Sequence, residues 1–274
     1  MSFCLMAVGV RELGGQIDTF QVLFFRSAIG FLVITFVIVG TRNTKLFYSR
    51  RIGLHGMRNI FHFAGQYGWF VGIGLLPLAE VFAIEFTVPL WTALIAGIFL
   101  NEKFTVKKSI SIALGILGVI VIVEPSIAIV EYGSLIVLGA AICYAISHTS
   151  TKALSSTESP LTILFFMCLV QLPIGFFFSL SNWKNPTDTQ WFWIVSIGIS
   201  ALSAHYCMTK AMQYAEVTTV VTMDFFRLPL ISVIGIVFYS EGFEITLIIG
   251  GILMLLGNLL NTNVPRNRSE VIKT

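Results

Sequence analysis

Residues 79–100 have the sequence AEVFAIEFTVPLWTALIAGIFL, in which Glu80 and Glu85 are the only charged residues. A helix of this length is about 33 Å long, which is enough to cross a bilayer core of about 30 Å. Pro89 removes one internal hydrogen bond, so we expect the helix to be broken near this residue. The stretch therefore predicts an interrupted membrane-spanning helix.

The rest of the chain has the same apolar character. Of its 274 residues, 56% are hydrophobic and 11% are charged, whereas a soluble domain has about 25% charged residues. Such a composition argues against a soluble enzyme, a nucleic-acid-binding domain and a disordered chain, and it predicts a lipid bilayer as the solvent. The net charge of +3 is typical of basic cytoplasmic loops, so we expect no nucleic-acid partner.

Ten apolar stretches follow one another along the chain. Nine are long enough to span, but the first is not, because 12 helical residues rise only about 18 Å. We therefore expect the opening turns of the first helix to be missing, through a misassigned start codon or a real truncation. The predicted spans are residues 1–12, 19–40, 58–77, 79–100, 107–124, 133–153, 160–180, 190–212, 217–239 and 243–261.

Lysine and arginine predict the orientation, because cytoplasmic loops carry an excess of both. If both termini are cytoplasmic, only Arg11 and Lys184 fall in outer loops, and Arg26 and Arg227 lie within spans. The sequence thus predicts a multi-pass protein of the inner (plasma) membrane with both termini in the cytoplasm. The basic residues predicted on the cytoplasmic side are Arg42, Lys45, Arg50, Arg51, Arg58, Lys103, Lys107, Lys108, Lys152, Lys210, Arg266, Arg268 and Lys273.

An internal repeat divides the chain into two halves. Ala79-Glu80-Val81 recurs as Ala215-Glu216-Val217, 136 residues on, and Glu102 recurs as Glu241, 139 residues on. Five spans in each half give the halves opposite orientations in the membrane. The sequence therefore predicts an all-α membrane protein of two inverted five-helix repeats, residues 1–126 and 127–264, with a cytoplasmic tail at residues 265–274.

These motifs, in their order and duplication, resemble the EamA domain of the drug/metabolite transporter superfamily, present twice. The resemblance implies a ten-helix secondary transporter of metabolites. The Asp-x-x-Arg-x-Pro segment of the second half resembles the branch that contains riboflavin and S-adenosylmethionine carriers. The residues that carry the resemblance are Arg26, Leu76-Pro77-Leu78-Ala79-Glu80, Phe86-Thr87-Val88-Pro89-Leu90 and Leu100-Asn101-Glu102, then Tyr214-Ala215-Glu216-Val217, Asp224-Phe225-Phe226-Arg227-Leu228-Pro229 and Ser240-Glu241.

Charged residues within the spans are the first candidates for a substrate site, because each costs at least about 2.5–3.5 kcal/mol to insert. Arg227 lies near the middle of its span and Asp224 lies on the same helix face. Arg227 is predicted to bind a substrate carboxylate or phosphate, with Asp224 orienting it or carrying a proton. The alternative is a neutralised pair that only locks the helix. Arg26 and Glu85 lie at matching depths and form a second possible pair. The alternatives are a structural ion pair or an Arg26 side chain that reaches the outer headgroups, and a Glu85 that is structural or faces a cavity.

Histidines and aromatic residues complete the candidate site. His148 and His205 are predicted in the inner half of the membrane with Asp224, as a proton relay or as helix–helix hydrogen bonds. His62 is predicted near the cytoplasmic interface. Gln66 and Gln171 need polar partners within the membrane, and either one is a candidate to face the cavity. The aromatic side chains that are candidates to line a pocket are Tyr67, Trp69, Trp91, Tyr144 and Tyr206.

The sequence predicts a secondary transporter of a small metabolite, such as an amino-acid-like, vitamin or nucleoside-type solute, working by alternating access. It contains no HExxH, Walker A or GxSxG motif, so we expect no enzyme activity, no cofactor and no metal. The alternatives are a membrane-embedded enzyme acting on a lipid-linked substrate and a non-transporting membrane scaffold. Proton coupling and a monomer or homodimer are compatible with the sequence.

Overall fold

The computed structural model describes residues 1–102, 105–123, 132–224, 227–242 and 245–262. These residues form α-helices joined by short turns, with no β-strand among them. The predicted boundary between residues 126 and 127 lies outside the described residues. So do the predicted tail at residues 265–274, Lys103, Phe225, Phe226 and the side chain of Pro229.

Twelve α-helices are found in the described part of the chain. Their bounds follow the predicted apolar stretches to within a few residues, except that α3 begins six residues earlier and therefore includes Arg58. The helices are α1 Ser2–Leu13, α2 Thr19–Gly40, α3 Ile52–Leu75, α4 Leu78–Glu85, α5 Val88–Phe99, α6 Val106–Val123, α7 Tyr132–Ser155, α8 Pro160–Ser179, α9 Asp188–Met212, α10 Val217–Met223, α11 Arg227–Tyr239 and α12 Ile245–Thr262.

The helices have the length and composition of membrane-spanning elements. Five described segments are long and apolar enough to cross a bilayer, and their outward faces carry large apolar side chains. Phe36 of α2, for example, is 81% exposed. These properties identify an all-α, multi-pass membrane protein. The five segments are Thr19–Gly40, Leu78–Phe99, Tyr132–Ser155, Pro160–Asn182 and Asp188–Met212.

Two of the predicted spans are interrupted. The first breaks after Glu85 and resumes at Val88, so Pro89 lies in the first turn of α5, where proline is tolerated. In the second, α10 ends at Met223 and α11 is described from Arg227 onward, with residues 225 and 226 outside the described part of the chain. Because backbone groups freed by a break need partners inside a membrane protein, each break is a place where polar side chains can be held.

The helices pack in pairs that join the two halves of the chain. Helix α3 packs on α7, α1 on α9, α2 on α8, and α6 on α12. Glycines allow the close approach of α3 and α7: a Cβ atom at Gly68 would lie 3.2 Å from the Cβ of Ala140 and 3.3 Å from the carbonyl oxygen of Ile136. Small residues are therefore required on this face of α3.

Two glutamates hold the starts of the interrupted spans, each from the opposite half of the chain. Glu241 Oε1 accepts hydrogen bonds from the backbone N–H of Leu78 at 3.0 Å and from Arg11 Nη2 at 2.6 Å. Leu78 is the first residue of α4, and a negative charge at a helix start is favourable. We call this cluster of Arg11, Leu78 and Glu241 the Glu241 latch.

The second glutamate, Glu102 of the first half, forms an equivalent cluster at a helix start in the second half. Glu102 Oε1 accepts from the backbone N–H of Val217, the first residue of α10, at 2.9 Å. Its Oε2 accepts from Thr218 Oγ1 at 2.8 Å and from Lys108 Nζ at 2.9 Å. We call this cluster of Glu102, Lys108, Val217 and Thr218 the Glu102 latch.

We expect Gly68→Val to destabilise the protein, because the added side chain would meet the backbone of α7, and overpacking costs about 1–3 kcal/mol. The matched control is Gly74→Val in the same helix, since no atom lies within 4 Å of a Cβ placed there. Thermal unfolding in detergent should give a lower midpoint for Gly68→Val alone. Equal midpoints for the two variants would contradict the close packing of α3 on α7.

Candidate functional site

The two helix breaks bring three charged side chains together. Glu85 is the last residue of α4, Asp224 follows the end of α10, and Arg227 is the first residue of α11. Arg227 Nη2 donates to Glu85 Oε1 at 2.7 Å and lies 3.0 Å from Asp224 Oδ2. The Arg227 cluster, as we name these three residues, therefore joins the fourth span of the first half to the fourth span of the second.

Burial makes the interactions of this cluster strong. The side chains of Arg227 and Glu85 are 8% and 11% exposed, and that of Asp224 is 25% exposed. Hydrogen bonds between oppositely charged groups are stronger than neutral ones, and more so away from water. Two carboxylates share one guanidinium, so the cluster carries one net negative charge when both acids are ionised.

Aromatic side chains surround the charged groups. Trp69 Nε1 donates to Glu85 Oε2 at 2.8 Å, which occupies the second oxygen of that carboxylate. The guanidinium of Arg227 lies over the rings of Phe3 and Phe82, at 4.7 Å and 5.0 Å from their centroids. Cation–π contacts of this kind stabilise a partly desolvated charge. The orientation of Arg227 is thus fixed from several sides.

A narrow cavity lies against the Arg227 cluster. Its volume is about 20 Å3, which is room for about one water molecule. Five of the eight site residues predicted from the sequence line it, and they come from separate segments of the chain: Glu85, His148, His205, Asp224 and Arg227. The structure therefore gathers the predicted charged and imidazole groups around one space.

The remaining lining side chains add polar and aromatic surface. Gln66 and Trp69 come from α3, and Tyr144 comes from α7; all three were candidates from the sequence. Phe3, Met6 and Met208 were missed, because an apolar residue in an apolar helix gives no sequence signal for a cavity.

Three predicted site residues lie elsewhere. The ring of Tyr67 stacks on Phe20 at a centroid distance of 4.3 Å. Trp91 Nε1 donates to Thr87 Oγ1 at 3.3 Å, within its own segment. Tyr206 is 40% exposed, and it follows His205 on α9, so its side chain points away from the cavity. The sequence showed that these residues are aromatic and within spans, but it did not show which helix face they occupy.

The partner of Arg26 also differs from the sequence expectation. Arg26 Nη2 donates to Gln171 Oε1 at 2.5 Å, whereas Glu85 is bound by Arg227. Gln171 Nε2 lies 2.8 Å from His62 Nδ1. His62 is fully buried rather than interfacial, and its ring lies 4.6 Å from that of His205. A polar network therefore runs from Arg26 to the wall of the cavity.

Arg58 was predicted in a cytoplasmic loop, but the structure places it inside helix α3. Its side chain is 1% exposed, and it donates to Thr151 Oγ1 at 3.0 Å and to Asn59 Oδ1 at 2.6 Å. Because α3 starts earlier than the apolar stretch does, Arg58 lies inside the helix. It contributes to packing of α3 on α7.

No group of three His, Cys, Asp or Glu side chains within the described ranges is placed to hold a metal ion. Several polar atoms of the cavity wall, in contrast, have no hydrogen-bond partner among the described residues: both amide atoms of Gln66, Nε2 of His205 and Nε of Arg227. The site therefore has the groups to bind a polar organic molecule.

The fold and the cavity define a multi-pass membrane protein with a charged internal site. The same fold occurs in a protein of known crystal structure, with a TM-score of 0.76 and 16% identity over 95% of this chain and 94% of that chain. The model of the EamA-like transporter family matches residues 1–124 and 131–263. The chain belongs to the EamA-like transporter family, as the sequence motifs predicted.

Characterised relatives carry the names of small-molecule transporters. An S-adenosylmethionine uptake transporter of Rickettsia bellii is 23% identical over 84% of this chain and 79% of that protein. A riboflavin transporter of Brucella anthropi is 28% identical, covering 82% and 84% respectively. A pseudopaline exporter of Pseudomonas aeruginosa is 24% identical, covering 93% and 89%. The family and these names point to transport rather than to an enzyme.

We expect Arg227→Met to destabilise the protein strongly, because Glu85 and Asp224 would be left without their cation. Removing one partner of a buried ion pair costs about 3–5 kcal/mol. The double variant Arg227→Met/Glu85→Gln should recover part of this loss. Unfolding midpoints of the wild type, both single variants and the double variant give the coupling. Strictly additive losses would show that the two side chains do not interact.

Proposed function

We propose that this protein is a secondary transporter that moves a small organic metabolite across the plasma membrane by alternating access. The observation that carries the proposal is the Arg227 cluster, held at the breaks of two helices beside a cavity. Charged groups inside a membrane protein usually face a transport path, and interrupted helices usually form the binding site of such carriers. We also propose an orientation in which both termini face the cytoplasmic side.

The relatives support the kind of solute. Their names specify S-adenosylmethionine, riboflavin and pseudopaline, which are all small polar organic molecules. Both directions of transport occur among these names, because one specifies an uptake transporter and another an exporter. For this chain we propose an amino-acid-like, vitamin or nucleoside-type solute.

The helix pairing supports ten spans arranged as two inverted repeats. Suppose that α1 corresponds to α7 and that α3 corresponds to α9. A two-fold axis would then turn the contact between α3 and α7 into a contact between α9 and α1, and both contacts are present. The pairs α2–α8 and α6–α12 each join corresponding helices of the two halves. This pattern is expected when a two-fold axis relates the halves.

Backbone details support the same repeat. Asn101 and Ser240, which lie 139 residues apart, have left-handed backbones with φ of 54° and 53°. Each directly precedes the glutamate of a latch. Glu102 N donates to Ala96 O at 3.3 Å, and Glu241 N donates to Gly235 O at 3.1 Å, again at the same spacing.

Two cationic contacts outside the defined Glu102 latch are related in the same way. Arg11 donates to the carbonyl oxygens of Ile73 and Leu76, at 2.8 Å and 3.2 Å. Lys152 Nζ donates to the carbonyl oxygens of Met212 and Ala215, at 2.6 Å and 2.7 Å. Each carbonyl pair lies at the C-terminal end of the third span of its half, and the same 139-residue spacing relates the two pairs. One cationic side chain therefore binds free carbonyl groups at the end of α3, and another does so at the end of α9.

We propose that the two latches are the two gates. In the predicted orientation the Glu241 latch lies at the outer side and the Glu102 latch at the cytoplasmic side. Both are formed here, and besides the narrow cavity a larger one of about 400 Å3 is lined by Asp224 and Arg227. Opening one latch while the other holds would expose the Arg227 cluster to one side at a time, which is the requirement for alternating access.

Within this cycle the Arg227 cluster is the proposed binding group. A substrate carboxylate or phosphate would take the place of one protein carboxylate on the guanidinium of Arg227. A cationic substrate group or a proton would instead neutralise the excess negative charge on Glu85 and Asp224. Asp224 is the more exposed of the two acids, so it is the proposed position for a coupled proton.

We expect Arg227→Ala to impair transport. The purified protein is reconstituted in liposomes, and counterflow of labelled amino acids, riboflavin and S-adenosylmethionine is measured. The wild type should show saturable counterflow of at least one solute, and Arg227→Ala should reduce it at least about tenfold, since it removes one charged hydrogen-bond partner of the substrate. The control is Arg42→Ala, which removes an exposed arginine.

The other outcomes of this experiment are equally informative. Unchanged counterflow in a folded Arg227→Ala variant would restrict Arg227 to a structural role. A wild type that moves no solute but modifies a lipid-linked compound would support the enzyme alternative instead.

We expect Glu241→Gln and Glu102→Gln to open opposite sides of the protein. Cys4 is a natural reporter, since its side chain is buried and lies 4.0 Å from the backbone oxygen of Arg227. With the other three cysteines replaced by alanine, an impermeant thiol reagent is applied from either side of oriented vesicles. Weakening a latch removes charge-assisted hydrogen bonds, so labelling should become faster from outside for Glu241→Gln and from inside for Glu102→Gln.

The control for this labelling experiment is Asp188→Asn, an exposed acid at the start of α9. It should change labelling from neither side. Faster labelling from the same side in both latch variants would refute the assignment of the latches as opposite gates.

A further inference from the structure

Gln66 is a buried side chain whose hydrogen-bonding groups are unused. It is fully buried, it lines the cavity beside the Arg227 cluster, and its Nε2 and Oε1 make no hydrogen bond within the described part of the chain. His205 Nε2, on the same cavity wall, is also without a partner there. Buried amides are nearly always bonded, so these atoms require an explanation.

Another glutamine of the same protein shows the contrast. Gln171 is equally buried, but its Oε1 accepts from Arg26 and its Nε2 is bonded to His62 and to the backbone of Asn59. The interior therefore satisfies a buried amide where the amide has a structural role. Gln66 differs from Gln171 in facing the cavity, where an occupant is the available partner.

The chemistry of the amide limits the occupant. A glutamine presents one donor and one acceptor side by side in one plane. The complementary group has an adjacent acceptor and donor, as on the amidine or imide edge of a planar nitrogen heterocycle. Trp69 and Tyr144 line the same cavity, and aromatic side chains are suitable surfaces for stacking a flat ring.

Gln66 is also well placed relative to the charged site. Trp69 lies one turn further along α3, about 4.5 Å in rise, and donates to Glu85, which in turn binds Arg227. A single molecule lying along this face of α3 would meet the Arg227 cluster at one end and Gln66 at the other.

We propose that Gln66 is a specificity-determining residue that pairs with the donor–acceptor edge of a planar nitrogen heterocycle in the substrate, with His205 Nε2 as a further hydrogen-bonding partner. This inference rests on the proposed transport function and names the substrate class of the same site: a charged metabolite that carries such a ring. A ring of this size requires the cavity of about 20 Å3 to widen, which the proposed opening of a latch would allow.

The first test is the stability of the full-length protein without any ligand. Gln66→Leu should melt at or above the wild-type temperature, because it removes two polar groups that have no partner. The matched control Gln171→Leu should melt lower, because it breaks the bonds to Arg26 and His62. A decrease for Gln66→Leu as large as that for Gln171→Leu would show that the Gln66 amide is structurally bonded and would overturn the proposal.

The second test is binding of defined probes to the protein in nanodiscs. S-adenosylmethionine and riboflavin carry ring edges of the required kind, and methionine has the charged groups without the ring. Gln66→Leu should weaken binding of the ring-containing ligand at least about tenfold and leave that of methionine unchanged. Equal affinity of the ring-containing ligand for wild type and variant would overturn the proposal, as would an equal loss for methionine.

Counterflow separates this inference from the transport proposal itself. If Gln66→Leu still moves the ring-containing solute at the wild-type rate, the protein is a carrier but the role of Gln66 is disproved. If Arg227→Ala retains counterflow while Gln66→Leu loses selectivity, the ring subsite stands and the charged anchor does not.

Discussion

A charge buried among apolar helices needs partners, and Arg227 has two carboxylates, those of Glu85 and Asp224. The two acids come from different segments, and both lie where a helix is interrupted. A continuous helix would direct these side chains along its own surface. The breaks at residues 86–87 and after Met223 are therefore part of the same arrangement as the ion pairs, and the cavity forms at the point where the two broken spans meet.

The same rule governs the ends of the interrupted spans. A helix that begins inside a membrane protein exposes backbone N–H groups with no partner in the helix. Glu241 and Glu102 each provide a carboxylate for one such group, and each belongs to the opposite half of the chain. Because these carboxylates also bind Arg11 and Lys108, the charges are paired as well. Stability at both ends of the molecule thus depends on contacts between the halves.

Much of this arrangement was predictable from the sequence. Hydropathy located the helices to within a few residues, Pro89 indicated the first interrupted span, and intramembrane charge indicated the pairing of Asp224 with Arg227. The recurrence of Glu102 as Glu241 was visible, but the helix starts that they hold were not, since a hydrogen bond across more than a hundred residues leaves no local pattern. Arg26 and Glu85 were predicted at the same depth in the membrane, but equal depth does not determine which helices are neighbours. For the same reason Tyr67, Trp91 and Tyr206 could not be distinguished from Trp69 and Tyr144.

The exchange of glutamates between the halves has a consequence for biogenesis. The first five helices leave the ribosome well before residue 241 is made, and until then the N–H of Leu78 and the guanidinium of Arg11 lack their carboxylate. During synthesis the first half therefore lacks the hydrogen-bond acceptor for the start of α4. The acceptor, Glu241, lies 163 residues after Leu78 in the chain. A half-length chain remains in that unfinished state.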